Sequence, residues 1–247
     1  MTACDISIVN GSIVDGTGDP RWEGNVGIKD GRVVSLGGDV GAARKIIDAE
    51  GKIVSPGFVD IHTHYDAQLL WDHAMSISPW HGVTTVVIGN CGFGIAPVQR
   101  VHRELILRTL ERVEGMSFAA LKKGLGEEWG YETFPEYLDL VEGKGTAINV
   151  GVLLGHTPIR FEAMGEDAIR RESNPDEMKI MENIVREGME VGGLGFATSQ
   201  APTHHGFDGH PVPSRLASMK ELDALINAMT DSGRGLLQAT VGRKLFH

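Results

Sequence analysis

Several features are scarce in this 247-residue sequence, and each absence excludes a class of protein. Only two cysteines occur, Cys4 and Cys91, which excludes a disulfide-stabilised secreted fold and predicts two reduced thiols. No apolar run approaches the ~20 residues that span a bilayer, and the N-terminus lacks a basic start followed by an apolar stretch. We therefore expect a cytoplasmic protein with no membrane partner.

Clusters of basic residues are also missing. Lys and Arg total 23 against 33 Asp and Glu, which gives a formal net charge of −10. An acidic chain without a Lys/Arg cluster argues against nucleic acid and anionic membrane surfaces as partners. Hydrophobic residues make up 41% of the chain and charged residues 23%, a composition typical of a folded protein with a sizeable core. Homo-oligomerisation stays open.

Short strand patterns separated by turn signals fill residues 1–55. The dipeptides Asn10-Gly11, Asp30-Gly31 and Glu50-Gly51 lie between strand-like runs, and such dipeptides are typical of hairpin turns. We therefore predict that residues 1–55 form a small β-rich, sandwich-like unit.

From residue 56 onward, strand patterns alternate with helix patterns. Two helix starts are well marked: Asn174 precedes Pro175, and Ser218 precedes Glu221 by three residues, which predicts a capping box. Alternation of strands and helices predicts a parallel sheet. We predict an α/β fold in which residues 56–247 belong to a TIM-type (β/α)8 barrel, of which only the first five strands are visible. The strand candidates are residues 58–62, 83–88, 147–154, 195–198 and 235–241.

The most specific chemical signal is the segment PGFVDIHTHYD, residues 56–66. His62 and His64 are two residues apart at the end of a strand, so their side chains point to the same face. Catalytic groups of barrels lie at the carboxyl ends of the strands. Two converging imidazoles can bind a borderline cation such as zinc. The alternative is a pair of surface histidines in a loop, which the apolar residues beside them argue against.

A second segment, GNCGFGIAP at residues 89–97, directly follows the next strand and brings Cys91 to the same end of the barrel. A thiolate is a strong zinc ligand, and the surrounding glycines allow close backbone approach. The alternative is a buried structural cysteine. The sequence favours a metal site made by His62, His64 and Cys91.

These segments resemble the amidohydrolase superfamily and, within it, the D-aminoacylase (N-acyl-D-amino-acid deacylase) group. GHTPIR at residues 155–160 resembles that group's Gly-His-x-x-x-Arg segment, and residues 197–215 resemble a substrate-side loop. The resemblance implies zinc-dependent hydrolysis of an amide C–N bond in a small-molecule substrate, most directly an N-acyl-D-amino acid. A metal would activate water, and a carboxylate would move the proton to the leaving amine. The resemblance also implies that Cys91 replaces the carboxylated lysine that bridges two metals in many amidohydrolases.

The sequence also departs from this family. Its fifth strand reads LLQATVGRK, with Thr240 and Val241 where the family has a metal-binding histidine. We therefore expect one firmly bound zinc and an incomplete second site. The family's catalytic aspartate would fall beyond His247, so we expect the isolated 247-residue chain to be inactive or nearly so.

The resemblance further implies a set of substrate-binding residues, and residues 98–145 would cover the site. For His156 the alternative is a structural hydrogen bond, for Arg160 and Arg215 a surface arginine, and for His204 a solvated loop position. Two rival functions stay open: opening of cyclic amides or hydantoins, and a non-catalytic fragment or scaffold of this fold. The substrate-binding candidates are Tyr65, His156, Arg160, His204 and Arg215.

Overall fold

Ten β-strands and six α-helices form within residues 4–242, the part of the chain that the computed structural model describes. They group into two units, Met1–Gly57 and Phe58–His247. The predicted barrel region therefore includes five residues, 243–247, that lie outside the described part. Among the described residues, no helix combines the length and the apolarity needed to cross a membrane.

The first unit is built on one mixed sheet. The central strand β1 pairs antiparallel with β2 and parallel with β4 and β5, while β3 pairs antiparallel with β2. The β-rich prediction is confirmed, but the described residues form a single five-stranded sheet and not two packed layers. The strands are β1 Cys4–Ile13, β2 Trp22–Lys29, β3 Arg32–Gly37, β4 Ala43–Asp48 and β5 Ile53–Val54.

Two predicted turns of this unit behave differently. Asp30-Gly31 joins β2 and β3 as predicted, with φ values of 49° and 71° that suit a two-residue hairpin. At Asn10-Gly11 the chain does not reverse. The pairing register shifts there and Asn10 takes a φ of 56°, so a bulge carries β1 through this position.

The third predicted turn, Glu50-Gly51, joins two strands that do not pair with each other. Both β4 and β5 pair with β1. Between them, the backbone N–H of Gly51 donates to the Asn10 carbonyl at 2.8 Å, which holds the turn against β1. This non-local pairing makes the sheet mixed.

The second unit contains five parallel strands in chain order, as predicted. This is the arrangement of a partial (β/α) barrel. Within β7, Val86 and Ile88 are fully buried and Val87 is nearly so, as expected of a strand covered on both faces. Burial of each such side chain stabilises the fold by roughly 1.5–3 kcal/mol. The strands are β6 Phe58–Asp60, β7 Val83–Ile88, β8 Asn149–Gly155, β9 Gly195–Ser199 and β10 Leu236–Thr240.

Six helices connect these strands. Asn174 begins α5 as predicted, since its side chain accepts from the backbone N–H groups of Asp176 and Glu177 in a full capping box. Ser218 begins α6 by accepting from the N–H of Glu221, but the Glu221 side chain turns into the interior, so the predicted capping box is only half formed. The helices are α1 Arg103–Glu114, α2 Phe118–Leu125, α3 Phe134–Lys144, α4 His156–Met164, α5 Pro175–Glu190 and α6 Met219–Thr230.

The long connection between β7 and β8 carries three of these helices, α1, α2 and α3. Its side chains Ile106, Leu121 and Tyr137 are buried in the core of the second unit. The Tyr137 hydroxyl donates to the backbone carbonyl of Asp66 at 2.9 Å, which fixes the connection to the segment that follows β6. The connection thereby reaches the carboxyl ends of the strands.

Candidate metal centre

His62 and His64 lie just beyond β6, which ends at Asp60 and not at His62 as predicted. Thr63 keeps the segment extended, since its backbone N–H and its hydroxyl both donate to the Val87 carbonyl, at 3.0 and 2.8 Å. Thr63 is buried, and the two histidines flank it on the opposite side. Their ring centroids are 5.3 Å apart in an edge-to-face arrangement.

Cys91 sits in a sharp turn at the end of β7. Gly89 and Gly92 have φ values of 80° and 73°, and Cys91 itself has a φ of 58°, which is rare for a residue with a side chain. Asn90 is fully buried, and its amide donates to the carbonyls of both Val87 and Thr63. Asn90 therefore ties the turn to the histidine segment.

The turn brings Cys91 against the histidines. Its Sγ lies 3.3 Å from Nε2 of His62, and one ligand atom from each of His62, His64 and Cys91 lies within 4.8 Å of the others. Zinc bonds of ~2.0–2.3 Å in a tetrahedron separate ligand atoms by roughly 3.3–3.8 Å. Imidazole and thiolate are also the donors that suit zinc. The three residues fit a zinc ion in chemistry, and the 4.8 Å limit on the separation of their ligand atoms is about 1 Å wider than in a closed tetrahedral site.

β10 adds two residues to this arrangement whose contacts with Cys91 were not predicted from the sequence. Gln238 Oε1 accepts from the backbone N–H of Cys91 at 2.6 Å, and the Thr240 hydroxyl lies 3.3 Å from Cys91 Sγ. Thr240 thus occupies the end of the strand with a hydroxyl and no imidazole. The alternation of Gln238 and Thr240 along the strand is the signal that places both on one face.

Burial governs the charges of this cluster. It lowers the pKa of His64 to about 4, assisted by the nearby charges of His62 and His204, so His64 is neutral at pH 7. Burial also raises the pKa of the Cys91 thiol, which the Thr240 hydrogen bond partly opposes. A neutral imidazole has a free lone pair for a metal, and a thiol must lose its proton on binding one.

Two carboxyl groups lie near the histidines, one partly buried and one buried. Burial raises the pKa of Glu114, the last residue of α1, to about 7, and its Oε1 lies 3.3 Å from Nδ1 of His64. A neutral His64 forms no ion pair with it, and Nδ1 of His64 has no hydrogen-bond partner among the described residues. Burial likewise raises the pKa of Asp66 to about 7. Sequence patterns gave no signal for Glu114, because it comes from a helix with no local link to the histidines.

The structure does not place His156 and Arg160 where a substrate could reach them. Both side chains are fully buried and meet at Glu221: His156 Nε2 lies 2.7 Å and Arg160 Nη1 2.6 Å from its Oε1. Nδ1 of His156 lies 2.9 Å from the Thr198 hydroxyl, and Ser173 donates to the same carboxylate. These contacts support the structural alternative given for His156, and the same internal network binds the Arg160 guanidinium.

His204 lies beside the metal cluster, with Phe93 between its ring and that of His64. Its ring centroid is 5.2 Å from that of Phe93, which is in turn 6.5 Å from that of His64. Its Nδ1 lies 2.8 Å from the Ser199 hydroxyl, which fixes the ring. Arg215 supports this loop by donating from Nη1 to the His204 carbonyl at 3.0 Å.

Tyr65 points elsewhere. Its ring packs against the core, and its hydroxyl lies 2.9 Å from the hydroxyl of the buried Ser78. The alternation that turns His62 and His64 to one side turns Tyr65 to the other. These contacts give Tyr65 a packing role, and its contact with substrate stays a prediction.

Comparison with known proteins agrees with this geometry. Residues 45–242 match the profile of the Amidohydrolase family. The chain belongs to the amidohydrolase family. The resemblance found in the sequence is thereby confirmed, and Cys91 and both histidines fall within the matched residues.

Individual amidohydrolases extend the comparison. The chain is 32% identical over 238 residues to the N-acyl-D-glutamate deacylase of Alcaligenes xylosoxydans xylosoxydans, covering 96% of this chain and 43% of that protein. A solved N-acyl-D-glutamate deacylase from Bordetella bronchiseptica, complexed with zinc and a phosphonate mimic of the tetrahedral intermediate, superposes with a TM-score of 0.71 at 30% identity. That match covers 96% of this chain and 45% of the other.

A D-aminoacylase structure, described for its binuclear metal centre, superposes with a TM-score of 0.74 at 28% identity over 95% of this chain and 44% of the other. The present chain thus spans less than half the length of each of these amidohydrolases.

Proposed function

We propose that this chain contributes the metal centre of a zinc-dependent amidohydrolase that hydrolyses the amide bond of N-acyl-D-amino acids. The observation that supports it most strongly is the convergence of His62, His64 and Cys91 within 4.8 Å. The deacylase relatives support the substrate class, since one is an N-acyl-D-glutamate deacylase and another a D-aminoacylase. Zinc is present in one of the solved relatives. A small-molecule amide is the proposed partner, with no part for nucleic acid or membrane.

Each residue of the centre has a distinct role in holding the metal. His62 and His64 supply neutral imidazoles, and Cys91 supplies a thiolate after its proton leaves Sγ. Gln238 and Thr240 hold the Cys91 backbone and sulfur in place. A divalent metal held there supplies Lewis acidity, which activates water at neutral pH and polarises a scissile carbonyl.

We propose one firmly bound zinc per chain. Thr240 stands where a second site would need an imidazole, and its hydroxyl contacts the sulfur of Cys91 at 3.3 Å. A neutral hydroxyl is a far weaker zinc ligand than imidazole or thiolate.

We assign substrate contact to the His204 loop. The ring of His204 is fixed at Nδ1 by Ser199, which leaves Nε2 free to donate to or accept from a ligand. Arg215, which is partly exposed, offers a guanidinium that suits a substrate carboxylate. Of the five substrate-binding residues proposed from the sequence, we retain His204 and Arg215 in this proposal.

The experiment is a metal and activity analysis of the 247-residue chain. Zinc content is measured by mass spectrometry after dialysis, and the zinc-loaded chain is assayed on N-acyl-D-amino acids, their L forms and cyclic amides. The proposal predicts one zinc per chain and little turnover by the isolated chain, with any residual turnover favouring the D substrates. Preference for cyclic amides would favour the hydantoinase alternative. Absence of zinc binding would reduce the chain to a scaffold of this fold.

A further inference from the structure

Glu114 is a carboxylate in the metal centre that neither the family pattern nor the proposed ligand set uses. Helix α1 packs into the core through Ile106, Leu107 and Leu110, and it ends at Glu114 because Gly115 takes a φ of 67°. The Glu114 side chain is 14% exposed, and its Oε1 lies 3.3 Å from Nδ1 of His64.

The surroundings of Glu114 point to His64 as its partner. Within the described residues 4–242, no Lys or Arg lies in ion-pair range of its carboxylate; His64 is the basic side chain that it meets. Removing a carboxylate from water is unfavourable unless it finds a hydrogen-bond donor. The Nδ1 atom of His64 is buried and has no hydrogen-bond partner among the described residues, and the Glu114 carboxylate is the acceptor 3.3 Å away.

The chemistry of imidazole gives this contact a function. A neutral histidine carries a proton on only one of its two ring nitrogens. If the carboxylate accepts the proton-bearing Nδ1–H, the lone pair of Nε2 is left for a metal. Histidines that bind metals commonly donate their second nitrogen in this way, which fixes the tautomer and the ring orientation.

Glu114 is not itself part of the ligand cluster. Among the described residues, the atoms that converge within 4.8 Å come from His62, His64 and Cys91. A carboxylate just outside that cluster is placed to orient a ligand.

We propose that Glu114 is a positioning residue that holds His64 in its Nδ1–H tautomer and so prepares Nε2 to bind the metal. This inference rests on the proposed metal centre. In this proposal the connection between β7 and β8, through Glu114 of α1, helps to position a metal ligand.

Two measurements on the full 247-residue chain at pH 8 test this proposal. The first is the zinc dissociation constant by competition with a chromogenic chelator. The second is long-range ¹H–¹⁵N spectroscopy of the metal-free protein, with the His64 signals assigned from a His64→Gln variant. The variants are Glu114→Ala, Glu114→Gln and, as matched control, Glu104→Ala, which removes a glutamate from the first turn of the same helix.

The proposal expects Glu114→Ala to weaken zinc binding by about 10–100-fold and to abolish the Nδ1–H preference of His64. Glu114→Gln should lose less affinity, because its amide oxygen still accepts from Nδ1. Glu104→Ala should match the parent in both measurements. Circular dichroism of each metal-free variant separates these effects from loss of fold.

Unchanged zinc affinity together with an unchanged His64 tautomer in Glu114→Ala would overturn the proposal. A different result would mark failure of the underlying metal centre: His62→Ala, His64→Ala and Cys91→Ala variants that all bind zinc as tightly as the parent. In that case the tautomer measurement still decides whether Glu114 holds His64.

Discussion

At the residue scale, the candidate centre depends on how the backbone presents Cys91. A non-glycine residue at a φ of 58° costs about 1–3 kcal/mol, which the surrounding structure must supply. The buried amide of Asn90 and the Gln238 contact to the Cys91 N–H hold this conformation. Strain of this kind is typical of positions where a side chain must point at a ligand.

Removing the sulfur should remove most of the metal affinity. We expect Cys91→Ala to weaken zinc binding by more than about 100-fold, because loss of a direct ligand exceeds the 10–100-fold effect typical of outer contacts. Isothermal titration calorimetry on the purified chain measures this. His210→Ala, in an exposed loop, is the control and should bind zinc like the parent. Affinity retained within threefold in Cys91→Ala would exclude the thiol as a ligand.

The glycine that follows Cys91 gives a second residue-scale prediction. A Cβ on Gly92 would lie 2.9 Å from the Thr198 Cα, and its φ is 73°, whereas Gly115, with a φ of 67°, has no atom within 4 Å of the same position. Gly115→Ala should therefore cost only the ~1–2 kcal/mol of a left-handed backbone. Gly92→Ala should destabilise by clearly more, as urea unfolding will measure. If Gly92→Ala and Gly115→Ala lower the free energy of unfolding equally, the turn can move away from β9 to admit a Cβ.

At the scale of elements, Glu221 joins α6 to α4 through Arg160 and His156, and His156 bonds onward to Thr198 at the end of β9. Burial alone would raise the pKa of Glu221, but hydrogen bonds from His156 and Arg160 and the charge of Arg160 outweigh it and lower the pKa to about 2. Burial lowers the pKa of His156, which fits a neutral ring that donates from Nε2 and accepts at Nδ1.

This network should dominate the stability of the start of α6. Glu221→Ala leaves the Arg160 guanidinium buried without its carboxylate, so we expect a loss of about 3–5 kcal/mol in the free energy of unfolding. Ser218→Ala removes only the N-cap hydrogen bond of the same helix and should cost about 1 kcal/mol. Urea denaturation of both variants compares them directly. If Glu221→Ala lowers the free energy of unfolding by no more than Ser218→Ala, the buried network contributes little to stability.

The same carboxylate gives the fold an acid dependence. Its pKa is about 2 in the folded chain against 4.5 for an ordinary glutamate, so the unfolded chain binds the proton first. The stability it contributes is present above pH 4.5 and is lost as the pH falls from about 4.5 toward 2. Unfolding free energies measured across this range should fall less steeply in Glu221→Gln than in the parent. Parallel pH profiles would contradict the assignment.

At the scale of the whole molecule, the sequence predicted what local patterns encode. The five parallel strands, the α5 start at Asn174 and the approach of Cys91 to the strand ends all follow from periodicity, capping and position after a strand. Pairings that join distant segments were missed, such as the contact of Glu50-Gly51 with β1. Glu221 shows why: the pattern Ser218-x-x-Glu221 is a valid capping signal, but a buried arginine competes for the carboxylate, and no local pattern reveals that partner.

The candidate site divides in the same way. His62, His64 and Cys91 could be proposed because each follows a strand, while Glu114 could not, because it comes from a helix separated from His64 by a long connection. His156 and Arg160 were assigned to substrate from the family segment alone. Both lie on α4, and their complete burial places them in an internal hydrogen-bond network.

The central claim is that His62, His64 and Cys91 hold one zinc ion. X-ray absorption spectroscopy at the zinc edge, on the 247-residue chain loaded with one equivalent of zinc, tests it most directly. The account predicts one sulfur at ~2.3 Å and two imidazole nitrogens at ~2.0–2.1 Å, with the sulfur shell lost in Cys91→Ala. A spectrum with only oxygen and nitrogen neighbours in the parent chain, or one unchanged by Cys91→Ala, would contradict it.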